Sequence, residues 1–153
     1  MLDVDNTLLD NDRFNADLGQ RLEQGFGAAG RERYWALYTK LRSELGYAAY
    51  LEALQRFRSE LDDSPELLLM SAFFLEYPFA QRRYPQALAV IAHLRTLGLT
   101  VVLSDGDVVF QPRKIQRSGI WDAVEGRVLI TLHKQNSLEM MQRRFPAAHY
   151  VMV

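Results

Sequence analysis

Apolar side chains recur at helical spacing through much of the first half of the chain. Between Gly30 and Gly46 they form one stripe of an amphipathic helix, and the two glycines mark its predicted ends. The stripe consists of Tyr34, Leu37, Tyr38, Leu41 and Leu45. A second helix is predicted by a further stripe, which consists of Leu51, Leu54, Phe57 and Leu61. Ser64 followed by Pro65 is typical of a helix start, so we expect a third helix that continues through Leu75.

From Pro85 onward, helical and strand-like segments alternate. Pro85 begins a predicted helix that Gly98 ends, and the apolar run 99–103 is typical of a strand that is buried on both faces. Four more segments follow in the order helix, strand, helix, strand, at about 112–117, 128–131, 136–144 and 150–153. This alternation predicts a parallel sheet with right-handed crossovers.

Two acidic residues near the N-terminus supply the most distinctive candidate chemistry. Asp3 and Asp5 flank Val4 in the sequence DVDNT, and alternate residues of a strand lie on the same face. We therefore expect both carboxylates at the carboxyl end of a buried strand, where open α/β sheets bind ligands. Adjacent carboxylates repel, so the pair is costly unless a cation neutralises it or one carboxyl keeps its proton. The segment DVDNT is also compatible with a polar strand-to-loop transition that contains an Asx turn.

The composition limits the classes of function that the chain can have. Its 153 residues, 48% of them hydrophobic, suit one globular domain with a real core. A net charge of -1 gives no global field that favours nucleic acid or an anionic membrane. The absence of cysteine excludes disulfides, thiolate nucleophiles and cysteine-bound metals. The longest apolar-rich run, 67–75, is too short to cross a bilayer, and we expect a cytoplasmic protein without a signal peptide.

A second polar group follows the predicted strand 99–103. Ser104 would lie at the end of that strand, close to the two carboxylates if the strands are parallel. Gly106 permits a tight turn, so we expect Asp105 and Gly106 to contact an anion such as a substrate phosphate through nearby N–H groups. The same residues could instead form an ordinary turn in which Asp107 caps the next helix.

A lysine is expected to offset the negative charge of the carboxylates and a phosphoryl group. Lys134 lies in a loop-like segment after the predicted strand 128–131. Lys114 is the alternative, but it lies in a predicted helix beside Arg113 and Arg117, and such a run of charges is usually a solvated face. We therefore favour Lys134.

Taken together, these residues resemble the haloacid dehalogenase-like hydrolase superfamily. The order of a DxDxT motif at Asp3, then Ser104 after an apolar strand, then Lys134 is similar to that of the family's motifs. The resemblance covers essentially the whole chain and implies an α/β core of Rossmann-like type, with helices flanking a parallel sheet. The helical block 13–80 resembles the family's inserted helical cap. The core would consist of residues 1–12 and 81–153.

The resemblance implies a Mg²⁺-dependent phosphomonoester hydrolase that acts on a small phosphorylated metabolite, with no nucleic-acid or membrane partner. Asp3 would be the nucleophile that forms an aspartyl-phosphate, and Asp5 would act first as an acid and then as a base. The Asp3 carboxylate and the Asp5 carbonyl would bind Mg²⁺, while Ser104 and Lys134 would stabilise the phosphoryl oxygens. The second aspartate favours ester hydrolysis, because the family's dehalogenases generally lack a leaving-group acid of this kind.

The match is incomplete at both ends of the chain. The family's fourth motif is an acidic pair that completes the Mg²⁺ site just after the last core strand, but here that strand would be 150–153, where the sequence stops. Only Met1 and Leu2 precede Asp3, whereas a strand usually has about five or six residues. We therefore expect a fragment, an internally started product, or a chain that gives only part of a longer protein, with weakened Mg²⁺ binding and activity. The alternative function is a non-catalytic phosphate-binding or interaction module of the same fold.

Overall fold

Helices dominate the structure, a computed structural model that describes residues 1–61 and 64–153. The helices are α1 (Asn11–Leu45), α2 (Tyr50–Arg58), α3 (Pro65–Glu76), α4 (Ala87–Leu97), α5 (Phe110–Arg117), α6 (Ile120–Ala123) and α7 (Leu138–Arg144). The strands are β1 (Val102–Asp105) and β2 (Val128–Thr131), and short 3₁₀ turns lie at Phe79–Arg82 and Lys134–Asn136. Within the described ranges, none of the helices combines the length and the apolar character that crossing a membrane requires.

A parallel sheet lies behind the candidate site. β1 and β2 pair in parallel, with Val102 opposite Val128. On the other side of β1, Leu2 forms a parallel bridge with Val102. The N–H of Asp3 donates to the carbonyl of Val153 at 3.0 Å, so the end of the chain lies next to its beginning. The α/β fold class with a parallel sheet is confirmed, and the neighbouring segments run in the order 151–153, 1–3, β1, β2.

The limits of β1 differ from the prediction. The strand begins at Val102 rather than Leu99, whose side chain is 58% exposed, and it continues through Ser104 and Asp105. Pairing with β2 sets this register, because Ser104 lies opposite Ile130 in the ladder. Ser104 is therefore a buried strand residue and not the first residue of the following loop.

Two helix boundaries also differ from the prediction. α1 ends at Gly46 as expected, but its break lies at Gly27 (φ 71°, ψ 178°), whereas Gly30 lies within the helix. Only glycine adopts such a backbone conformation readily, which explains why α1 breaks at Gly27. α4 begins at Ala87 rather than at Pro85, because the chain first makes a turn there.

An aromatic cluster packs the helical block 13–80 against α5. Its centre is Phe14 of α1, which is fully buried. The ring centroid of Phe14 lies 4.9–6.3 Å from those of Tyr50, Phe73, Phe74, Tyr77, Phe79 and Phe110. Because Phe110 belongs to α5, this cluster joins α1–α3 to the helix that follows β1. The division of the chain into a core and a helical cap stays a prediction.

A polar cluster ties α1 to the segment that leads back to the sheet. The carboxylate of Asp17 accepts hydrogen bonds from the hydroxyl of Tyr77 at 2.6 Å and from the guanidinium of Arg82 at 2.9 Å. Burial alone would raise the pKa of Asp17, but these hydrogen bonds and the charges of Arg13 and Arg82 hold that pKa below its ordinary value of 3.8. Burial and the hydrogen bond to Asp17 raise the pKa of Tyr77 to about 12.

Replacing Asp17 by asparagine should lower the free energy of unfolding near neutral pH and have little effect in acid. A carboxyl whose pKa is lower in the folded state stabilises the fold above its ordinary pKa, here 3.8, and loses that effect as pH falls through the folded-state value. Urea unfolding of wild type and Asp17→Asn at several pH values measures the difference. Asp122→Asn, at an exposed position, is the control. A difference that stays constant down to acid pH would contradict the account.

Candidate active site

Residues from distant parts of the chain line one cleft of about 310 Å³ at the ends of the two strands. The lining includes the predicted site residues Asp3, Asp5, Ser104, Asp105 and Lys134. Helix α1 and the segment after it also line the cleft, with Asn11, Asp12, Asn15, Tyr38, Arg42, Gly46, Tyr47 and Ala48. The structure thus brings the sequence-predicted carboxylates, hydroxyl and lysine together, and their chemical roles stay predictions.

Asp3 is paired with the lysine that the sequence analysis favoured. The Nζ of Lys134 lies 3.0 Å from Oδ2 of Asp3, and both side chains are partly exposed to the cleft. The carboxylate of Asp105 accepts hydrogen bonds from the N–H of Lys134 and from the hydroxyl of Thr131, each at 2.7 Å. Asp105 therefore holds the turn that carries Lys134, and this geometry favours a positioning role over the predicted phosphate contact.

Asp5 is paired with the other lysine, which the sequence analysis assigned to a solvated face. That assignment was wrong, because Lys114 is fully buried and its Nζ lies 2.5 Å from Oδ1 of Asp5. The same ammonium group donates to Oδ1 of Asn11 at 2.8 Å. The Nζ of Lys114 also lies 5.7–5.8 Å from the ring centroids of Phe14, Phe79 and Phe110. A buried charge needs such compensation.

Gln111 joins two of the predicted site residues. Its amide donates to the hydroxyl of Ser104 at 2.8 Å and to Oδ2 of Asp5 at 3.2 Å. Gly106 makes room for this side chain, because a Cβ at that position would lie 2.7 Å from Cβ of Gln111. The N–H of Gly106 donates to the carbonyl of Thr131 at 3.0 Å, so the predicted anion contact would have to use other N–H groups of this turn. Gly106 serves close packing instead.

The basic residues beside Lys114 are also engaged. Arg113 donates to the carbonyl of Leu75 at 3.2 Å, and Arg117 donates to those of Glu76 at 2.8 Å and Tyr77 at 3.1 Å. These are carbonyls at the C-terminal end of α3, where cations are favourable. One face of α5 therefore binds the end of α3, and another carries Gln111 and Lys114 to Asp5.

Asp107, in the turn before α5, caps that helix as the sequence alternative predicted. Oδ1 of Asp107 accepts the N–H groups of Val109 at 2.9 Å and Phe110 at 2.7 Å, which caps the start of α5. The capping alternative for Asp107 is confirmed. It coexists with the placement of Ser104 in the cleft.

Separate lysines balance the two carboxylates. Asp3 pairs with Lys134 from the turn after β2, and Asp5 pairs with Lys114 from α5. Two carboxylates that approach each other repel, and a cation beside each one offsets that repulsion. Each carboxylate therefore has its own compensating cation, Lys134 for Asp3 and Lys114 for Asp5.

The oxygen donors for a metal ion are few. No group of three or more histidine or acidic residues placed to hold a metal lies within residues 1–61 and 64–153. Asp3 and Asp5 both line the cleft, and the oxygen donors that the family resemblance implies are the Asp3 carboxylate and the Asp5 main-chain carbonyl. Mg²⁺ is commonly held by one or two carboxylates together with water and substrate phosphate oxygens. The donor set therefore fits Mg²⁺ bound with a phosphorylated ligand better than an all-protein metal cage.

Comparison with known proteins gives matches among solved structures. No protein-family model and no curated protein matches the chain. A crystal structure of a haloacid dehalogenase-like hydrolase from Burkholderia xenovorans LB400 is 57% identical, with a TM-score of 0.92, and the match covers 99% of this chain and 68% of that one. A haloacid dehalogenase-like family hydrolase from Xanthomonas campestris is 20% identical, with a TM-score of 0.63, over 99% of this chain and 70% of that one. The HAD-hydrolase YfnB from Bacillus subtilis, solved bound to magnesium, is 14% identical, with a TM-score of 0.60, over 97% of this chain and 72% of that one. The last two likenesses concern the fold alone.

Proposed function

This chain belongs to the haloacid dehalogenase-like hydrolase family, and we propose that it is a phosphomonoester hydrolase in which Asp3 is the nucleophile. The observation that carries this proposal is the presence of a second carboxylate, Asp5, in the same cleft. Cleavage of an ester bond needs a proton for the departing oxygen, whereas a halide leaves without one. The pair therefore supports hydrolysis of phosphate esters over carbon–halogen cleavage.

In the first half-reaction, a carboxylate oxygen of Asp3 attacks phosphorus and the bond from phosphorus to the leaving oxygen breaks. Asp5 gives that oxygen a proton, so the product leaves as an alcohol. Lys114 pairs with Oδ1 of Asp5, so Oδ2, which accepts one hydrogen bond from Gln111, is the oxygen that would carry the proton. The ammonium of Lys134 and the hydroxyl of Ser104 stabilise the phosphoryl oxygens.

In the second half-reaction, a water molecule attacks the phosphorus of the aspartyl-phosphate. Asp5, now ionised, takes a proton from this water as the bond between Asp3 and phosphorus breaks. Inorganic phosphate leaves, and both carboxyl groups return to their starting states. One pair of carboxyl groups thus serves both steps.

Mg²⁺ is the metal that we propose for this site. The magnesium bound in the YfnB structure supports that choice, as do the oxygen donors at the cleft. The Asp3 carboxylate and the Asp5 carbonyl would hold the ion. When bound, it neutralises part of the negative charge of the phosphoryl group.

The substrate that we propose is a small phosphorylated metabolite whose leaving group contacts the helical side of the cleft. Asn15, Tyr38 and Arg42 of α1 line the same cleft as the two carboxylates. Arg42 is exposed and brings a cation there. A leaving group with a second anionic substituent, such as a carboxylate, would use that charge.

The substitution Arg42→Gln should raise KM about tenfold for phosphate esters that carry a second anion, on the scale of one charge-assisted hydrogen bond of ~1.5 kcal/mol. Esters with a neutral leaving group should keep their KM. Steady-state rates for matched pairs of esters measure the difference. Arg56→Gln is the control, because Arg56 pairs with Glu52 away from the cleft. An equal change for both kinds of ester would contradict this role.

The function itself is tested by the product released. We expect inorganic phosphate from phosphomonoesters in the presence of Mg²⁺, none after chelation, and no halide from 2-halo acids. Release of halide without phosphate would overturn the reaction class. Saturable phosphate binding with no turnover at any Mg²⁺ concentration would favour the non-catalytic module.

A further inference from the structure

We propose that Gln111 and Lys114 are positioning residues that hold the carboxyl group of Asp5 for proton transfer, an inference that rests on the proposed ester hydrolysis. They lie three residues apart on one face of α5. Each contacts a different oxygen of Asp5, Gln111 at Oδ2 and Lys114 at Oδ1, at 3.2 Å and 2.5 Å. Contacts at both oxygens fix the plane of the carboxyl group, which a single contact would leave free to rotate.

Burial makes these contacts well suited to positioning. Lys114 is fully buried and Gln111 is 3% exposed, so neither side chain has room to change its conformation freely. Charge pairs in the interior are poor stabilising devices, because desolvation of the ions offsets their attraction and apolar residues often replace them without loss. A buried lysine against the candidate acid is therefore better explained by the reaction than by stability.

The support of Asp5 continues into the helical side of the cleft. Lys114 also binds Asn11 at 2.8 Å, and Asn11 donates to the hydroxyl of Tyr50 at 3.2 Å. That hydroxyl donates to Oδ1 of Asn15 at 2.8 Å. Because Asn11 and Asn15 line the cleft beside the proposed leaving group, one hydrogen-bonded chain links the acid to the surface that faces this group.

A positioning role makes a prediction that a purely structural role does not. An acid matters most when the departing oxygen is strongly basic, so misplacing Asp5 should slow alkyl phosphates more than aryl phosphates with good leaving groups. We expect Lys114→Met to lower kcat/KM by about 10–100-fold for an alkyl phosphate and by less than about threefold for an activated aryl phosphate, within the range of general acid catalysis. Methionine keeps an unbranched side chain among the three aromatic rings and removes the charge.

The experiment measures kcat/KM for a series of phosphate esters of increasing leaving-group pKa with wild type and three variants. Gln111→Met should show the same trend as Lys114→Met. Thermal unfolding shows whether each variant folds. If Lys114→Met does not fold, Gln111→Met alone tests the positioning role. Arg113→Met is the matched control, because Arg113 lies on α5 but contacts α3. The slope of rate against leaving-group pKa should be unchanged in the control and steeper in both other variants.

Two results would overturn the positioning role and leave the proposed function standing. These are an equal loss for all leaving groups, which indicates a general structural effect, and rates equal to those of wild type. Failure of the unsubstituted protein to hydrolyse any ester in the series would instead overturn the proposed function, and the positioning role with it.

Discussion

Asp3→Asn should lower phosphomonoester hydrolysis by about four to six orders of magnitude, the scale on which loss of a nucleophile acts in other covalent enzymes. An amide is a far weaker nucleophile than a carboxylate, so the covalent step is lost. The side chains are nearly isosteric, and Asp3 lies partly exposed at the cleft. The ion pair with Lys134 is also partly exposed, and such pairs contribute about 1 kcal/mol or less. Initial rates and thermal unfolding of the purified variant should therefore show an inactive but folded protein.

Asp5→Asn tests the role of the proposed acid separately from that of the nucleophile. It keeps the nucleophile and removes the acid, so the loss should be greatest for esters of poorly leaving alkoxides and smallest for activated aryl esters. Asp3→Asn should show no such dependence. Turnover at the wild-type rate by Asp3→Asn would exclude covalent catalysis through this residue.

Phe14→Ala should lower the free energy of unfolding by about 3–5 kcal/mol, the usual effect of removing a large buried ring. Phe14 is fully buried, and its ring lies close to six others from α2, α3, α5 and the segment between α3 and α4. The cavity would also lie beside Lys114, whose Nζ is 5.8 Å from the ring centroid. Chemical denaturation measures the loss.

Leu68→Ala is the control for that experiment. Leu68 belongs to the same helical block, but its side chain is 76% exposed. Substitutions at such positions usually change stability by less than about 0.5 kcal/mol. Similar losses for the two variants would mean that the aromatic cluster does not anchor α1.

The positions of Asp3, Asp5, Ser104 and Lys134 at one cleft could be predicted because strand ends are local features. An apolar run followed by a polar group indicates where a strand leaves the sheet, and parallel strands bring such ends to the same edge. The sequence does not contain the register directly. Ser104 lies inside β1 because β1 pairs with β2, a contact between segments more than twenty residues apart.

The role of Lys114 could not be predicted from the charges around it. Three basic residues within five positions look like a solvated face, but Arg113 and Arg117 bind carbonyls at the end of α3, and Lys114 binds Asp5. Those partners are distant in sequence and appear only when the chain is folded. A weak signal did exist, since Lys114 lies one helical turn after Phe110, on the buried face of α5.

The most direct test of the account is detection of phosphate covalently bound to Asp3. Wild type would be mixed with an activated aryl phosphate and Mg²⁺, quenched in acid within the first turnovers, digested and analysed by mass spectrometry. We expect the mass of one phosphoryl group on the peptide that contains Asp3 in wild type, and none on that peptide in Asp3→Asn. Steady release of phosphate by wild type with an unmodified Asp3 peptide at every quench time, or with phosphate on a different residue, would contradict the assignment of Asp3 as the nucleophile.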